Sequence, residues 1–177
     1  SIRTSNRQMF NQVLRQTRDE CLLINEGDQY GRTALHVAAI TVNLDFAEVL
    51  IAKGAIVNAQ DDDGETPLHL SENALLTELL VTRGKANPNI PNVDGICALH
   101  LATQRRELDS VRALVRRGAN VNNADNIRWF TALHLIALPA RNQLDERREP
   151  DARCRIAALL TEPAKSEEPD LNYQDSE

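Results

Sequence analysis

Thr33-Ala34-Leu35-His36, Thr66-Pro67-Leu68-His69, Cys97-Ala98-Leu99-His100 and Thr131-Ala132-Leu133-His134 contain all four histidines of this 177-residue chain. The steps between them are 33, 31 and 34 residues. Histidines gathered for one catalytic or metal site would have no reason to recur beside the same neighbours at a near-constant period. A period of about 33 residues carrying such a motif marks a solenoid, in which each unit buries its apolar face against the next. The same regularity assigns the histidines to the stack: a neutral imidazole can bridge backbone groups of neighbouring turns.

About five units fit the length, so a one-dimensional stack is expected. Hydrophobic residues make up 42% of the chain and aromatics 3%, so the core is to be built from Leu, Ala, Val and Ile. No apolar run approaches the ~20 residues that span a bilayer, and Ser1 to Phe10 lacks the order of a signal peptide. Cys21, Cys97 and Cys154 are odd in number and show no C-x-x-C spacing. They point to reduced thiols in the cytoplasm or nucleus rather than to a disulfide framework or a zinc site. The net charge of −6 divides into −5 over residues 1–99, +4 over 100–160 and −5 over 161–177. That mixture is too weak for direct nucleic-acid binding, but it can bias the choice of a protein partner. No cofactor, metal or membrane insertion is expected.

Each unit reads alike. An Asx/Gly turn (28–31, 61–64, 92–95) precedes Thr33, Thr66 or Thr131, whose hydroxyl is suited to accept a backbone N–H as an N-cap, with Pro67 at a first helical position. A short Leu/Ala-rich helix and a break follow. A second helix then carries apolar residues at helical spacing: Phe46, Val49, Leu50; Leu76, Leu79, Leu80; Val111, Leu114, Val115; Ile156, Leu159, Leu160. Gly54, Gly84 and Gly118 stand where a left-handed C-terminal residue is wanted. Asn25, Asn58, Asn89, Asn122 and Asn172 follow in the connecting segments, where a short amide can bond its own backbone.

These residues resemble the ankyrin repeat, whose pattern runs roughly D-x-x-G-x-T-P-L-H, two helices, then G-A-x-V-N. The best matches are Gly31 to His36 with Gly54 to Asn58, Gly64 to His69, and Gly118 to Asn122. The resemblance implies an all-α ankyrin-repeat solenoid of stacked helix–turn–helix units with projecting β-hairpin loops. It divides one domain, 1–177, into an N-terminal capping helix or half repeat (1–27) and repeats at 28–60, 61–91, 92–124 and 125–177. The last includes an insertion at about 139–150 and the start of a truncated next repeat, so the chain is expected to be a fragment of a longer protein and monomeric when isolated.

Several features depart from the pattern. Repeat 2 is three residues short around Ser71 to Ala74, and its linker has one extra residue and two prolines, Pro88 and Pro91. Cys97 replaces the capping threonine in repeat 3. Repeat 4 lacks the turn glycine and presents Arg128-Trp129-Phe130, with the only tryptophan of the chain. Two readings stand for this aromatic pair: an anchor at a fingertip, since Trp, Tyr and Arg dominate binding hot spots, or packing against the enlarged repeat 4 or a following repeat. Asp61-Asp62-Asp63-Gly64-Glu65 lacks the alternating ligand spacing and the twelfth-position glutamate of a calcium loop, and reads as an acidic hairpin tip.

The resemblance implies non-catalytic protein–protein recognition through hairpin tips and the adjoining inner-helix surface, a concave strip that takes a protein or extended peptide. Transferred by register, the strip is Tyr30, Arg32, Ile40 and Thr41; Asp62, Asp63 and Glu65; Asp94, Ile96, Gln104 and Arg105; and Arg128, Trp129 and Phe130. It leaves three roles open: a scaffold or adaptor, an IκB-like inhibitor of a transcription factor, or the recognition arm of a larger enzyme, channel or trafficking protein. It also implies Asn58 and Asn122 as candidates for asparaginyl hydroxylation.

Overall fold

A computed structural model describes residues 24–138 and 150–162. Residues 1–23, 139–149 and 163–177, which hold most of the expected N-terminal cap, all but the last residue of the insertion expected at about 139–150, and the expected start of a further repeat, lie outside the described residues. Among the described residues seven helices follow in order: α1 (Ala34–Ile40), α2 (Leu44–Ala52), α3 (Ala74–Thr82), α4 (Ala98–Gln104), α5 (Leu108–Arg116), α6 (Ala132–Ala137) and α7 (Pro150–Thr161). They form two rows. The second helices of the units, α2, α3, α5 and α7, pack successively on one another, while α4 packs on α6 in the first row. Leu50, Leu76, Leu80, Val111, Leu114 and Ile156 fill the second row with almost no exposure, and Leu35, Leu68 and Leu99 do the same for the first. Local chemistry starts the second-row helices: the Asn43 side chain accepts the Phe46 N–H at 3.1 Å, and Asn73 accepts those of Leu75 and Leu76.

The turns stack as well. The Asp28 Oδ1 accepts the N–H groups of Tyr30 and Arg32, Asp61 those of Asp63 and Glu65, and Asn92 those of Asp94 and Ile96. Each turn then bonds the one before it: Asp62 N–H to Tyr30 O (3.1 Å), Val93 N–H to Asp63 O (3.1 Å) and Asn126 N–H to Asp94 O (2.9 Å). Side chains held in these Asx turns replace most of the ladder that the word hairpin implies. Among the described residues there is no strand, only an antiparallel bridge between Ala124 and Thr131.

Three local expectations differ from what is observed. The first helix of repeat 2 is a single turn, because the three missing residues remove the rest of it; His69 N–H still reaches Thr66 O at 2.9 Å. Gly84 is not the left-handed residue of its unit. Lys85 is (φ 55°), because the extra linker residue displaces the reversal by one position. Gly84 serves close packing instead, since a Cβ there would lie 2.6 Å from Leu80 O. The linker asparagines bond the following unit rather than their own backbone. Asn25, Asn58 and Asn89 accept the N–H groups of Ile56, Asn87 and Asn120 at 2.7, 2.9 and 2.7 Å.

Candidate protein-binding surface

Three of the four histidines, His36, His69 and His100, have both ring nitrogens engaged in holding the stack. His36 Nδ1 accepts the Thr33 backbone N–H at 3.0 Å, which places its proton on Nε2, and Nε2 donates to Glu65 O at 3.0 Å. His69 and His100 repeat the arrangement onto Ile96 O and Asn123 O, both at 2.9 Å. The threonine hydroxyls at 33 and 66 donate to the imidazole, and those at 33 and 131 also accept the backbone N–H three residues on, as expected of an N-cap. Cys97 keeps the backbone bond to His100 without a hydroxyl, and burial raises its thiol above the usual range. Among the described residues, no group of three or more His, Cys, Asp or Glu side chains could hold a metal ion.

The fingertips carry the expected strip, and the structure divides it. In repeat 1, Tyr30 is exposed with the Arg32 guanidinium 4.5 Å over its ring, and Arg32 is tied to Asp28 at 2.9 Å. Ile40 is exposed at the end of α1, and the Thr41 hydroxyl donates to Val37 O. In repeats 2 and 3, Asp62, Asp63 and Asp94 are exposed, and their carboxylates have no ion-pair partner among the described residues. Glu65 is half-buried; burial, and then the charge of Asp61, raise its pKa above the usual value. Ile96 is half-buried and Gln104 exposed. Arg105 is engaged within the chain. Its guanidinium donates to Ser71 O at 3.2 Å and meets Glu72 at 3.3 Å, spanning the place where the first helix of repeat 2 is cut short.

Repeat 4 differs in kind. The earlier turns close from residue i to i+4 (Asp28 N–H to Arg32 O, Asp61 to Glu65, Asn92 to Ile96), whereas Asp125 N–H reaches Phe130 O. One extra residue shifts the left-handed seat, occupied by Gly31, Gly64 and Gly95 elsewhere, onto Trp129 at φ 59°. The N–H groups of Ile127 and Arg128 point at the Asp125 carboxylate; burial opposes its charge, but these and neighbouring backbone donors hold its pKa below the usual range. The two aromatics part company. Phe130 stacks on His134 at 5.6 Å and 11°, with the Arg128 guanidinium 6.0 Å from its ring. Trp129 points outward, 76% exposed. The transferred strip lacked Ile127 (63% exposed) and Val93 (66%). Their signal in the sequence is an apolar residue at a turn position where the pattern expects a polar one. Both hydroxylation candidates are exposed, and the Asn58 side chain accepts the Asn87 N–H.

Comparison with known proteins fits this geometry. Residues 18–71 match a model of ankyrin repeats in many copies, and residues 63–93 and 94–126 each match the single ankyrin repeat. The chain belongs to the ankyrin repeat family. Ankyrin repeats mediate protein–protein interaction and are generally non-catalytic. The chain is 33% identical over 119 residues to human NF-kappa-B inhibitor alpha, covering 63% of this chain and 38% of that protein. It is 31% identical over 118 residues to the NF-kappa-B p105 subunit of Gallus gallus (64% and 12%), and 33% over 126 residues to neurogenic locus notch homolog protein 1 of Xenopus laevis (70% and 5%). The ankyrin chain thus spans well under two thirds of each of these relatives. No described helix is long and apolar enough to cross a membrane.

Proposed function

We propose that this ankyrin chain is a non-catalytic recognition module that holds a protein or extended peptide on its fingertips and the adjoining first-row surface, with Trp129 as the anchor. The observation that carries this reading is the conformation of Trp129. A bulky side chain at positive φ is an outlier that costs on the order of 1–3 kcal/mol. Here it sits where the three preceding turns use glycine, and the indole is presented to solvent instead of to the core. Backbone strain of this kind clusters at ligand clamps, and tryptophan is among the residues enriched at hot spots. The test is affinity capture with the chain and with Trp129→Gly. Loss of the captured partner from a folded variant supports the reading; an unchanged set of partners contradicts it.

The proposed scaffold role extends to the unit boundaries at 28, 61, 92 and 125, a monomeric state and a cytoplasmic or nuclear setting. Likeness to NF-kappa-B inhibitor alpha and to p105 favours a second reading, inhibition of a transcription factor. Salt-dependent binding to a Rel-type domain tests it, and failure to bind removes it. The short share of each relative that is covered supports a third, the recognition arm of a larger enzyme, channel or trafficking protein, which the full-length reading frame decides. Asn58, whose flanking Val57 to Asp61 is the closer match, and Asn122 are both exposed in their linkers, and an unshifted peptide mass after treatment with an asparaginyl hydroxylase would count against both.

A further inference from the structure

The fingertip row is chemically ordered, and that order specifies an occupant. Three backbone bonds between successive turns fix which side chains are neighbours. Along the row lie Asp62 and Asp63, then Val93 and Asp94, then Ile127 and Trp129. The apolar end is open: Val93, Ile127 and Trp129 are 66%, 63% and 76% exposed. A tryptophan held at φ 59° beside two exposed aliphatics is an apolar surface without a partner inside the described chain.

Charge decides what the rest of the occupant must carry. Asp62, Asp63 and Asp94 have no cation paired to them among the described residues, and two of the three arginines on the strip are ion-paired elsewhere. Arg32 is bound to Asp28 and lies over Tyr30; Arg105 is bound to Ser71 O and Glu72; Arg128 faces the ring of Phe130. A nucleic-acid backbone would be repelled from such a row. A polypeptide with basic side chains would be drawn to it.

We propose that this row takes an extended segment of a partner protein in which basic side chains facing Asp62 and Asp63 lie about six residues, and one facing Asp94 about three residues, from a large apolar side chain seated on Ile127 and Trp129. The spacing follows from the stack. Packed helices lie about 8–10 Å apart, so the tips of repeats 2 and 4 are separated by roughly 20 Å, and an extended chain rises about 3.3 Å per residue. The inference deepens the recognition reading above and rests on it.

The test is selection of random peptides of about twelve residues, displayed on phage, against the chain. The expected result is a family of peptides with paired Lys or Arg about five to seven residues from Leu, Ile, Met, Phe or Trp. Trp129→Gly should weaken a selected peptide at least about tenfold and remove the apolar preference while the basic preference survives. Asp62→Asn with Asp63→Asn should flatten the salt dependence of binding and remove the basic preference. Thermal unfolding of each variant confirms that it is folded. Peptides without that spacing, or equal binding by both variants, would overturn the inference. So would concentration-dependent association of the chain with itself through this row, or capture of a folded partner in the absence of any peptide. If capture succeeds and still depends on Trp129 while the peptides lack the spacing, only the occupant is wrong; if capture is indifferent to Trp129, the recognition reading falls too.

Discussion

His36, His69 and His100 each use both ring nitrogens, one to hold the start of their own unit and one to reach the next. His134 holds Thr131 in the same way but is exposed. One motif therefore carries two different energies. His100→Ala leaves the Cys97 N–H and the Asn123 carbonyl without partners, a loss of about 3 kcal/mol; His134→Ala should cost below about 1 kcal/mol. Urea unfolding of the two variants checks this, and equal losses would contradict it. Burial holds His36 and His69 below the usual imidazole pKa, against the pull of the Glu65 and Ile96 carbonyls. In the unfolded chain both return to about 6.5. Their stabilising contribution is therefore complete above that pH. It falls as the pH drops through it, because the unfolded chain binds protons that the folded one refuses. Unfolding midpoints should be lower at about pH 5.5 than at about 7.5, and the paired variant His36→Gln with His69→Gln should lose most of that slope. The period and the structural role of the histidines were legible in the sequence. That the threonine hydroxyl would give its proton to the ring was not, because the tautomer is set by the Nε2 bond to a distant carbonyl.

At the scale of the element, repeat 2 shows what a three-residue deletion does. The gap was legible, but its location was not: the loss falls on the first helix, and α3 runs its full length with Asn73 as cap. Arg105 spans the gap, and no sequence pattern announces that a residue of the next unit will do so. Arg105→Ala should cost about 1–2 kcal/mol, through the unpaired Ser71 carbonyl and lost packing. Glu72→Ala should cost less than about 0.5 kcal/mol, since Glu72 is well exposed. Equal effects would show that the ion pair, not the carbonyl, matters. Val42 provides a second case. It turns the chain between α1 and α2 at φ 52°, an unfavourable seat for a β-branched residue. Val42→Gly should raise stability by about 0.5–1 kcal/mol, and a lower unfolding midpoint would contradict that strain.

Across the whole molecule, stability is a sum over units and their interfaces. The interior units bury both faces, whereas Leu133 is 42% exposed although its equivalents Leu35, Leu68 and Leu99 are buried. Amide exchange should therefore be slowest in α3 and α5 and faster in α6; uniform protection along the stack would contradict this. The solenoid was legible because its signals repeat. The fingertip was legible only in part, since a missing glycine marks the repeat 4 turn but does not say which of three residues takes the left-handed seat. The closure from Asp125 to Phe130 decides it, laying a half-buried Phe130 on His134 and sending Trp129 outward. Because Trp129 is the only tryptophan of the chain, its fluorescence reports on the fingertip alone. Titration of a captured partner into the protein should shift the emission to shorter wavelength as the indole leaves water, saturating with the binding curve. Saturable binding with unchanged emission would contradict the central claim.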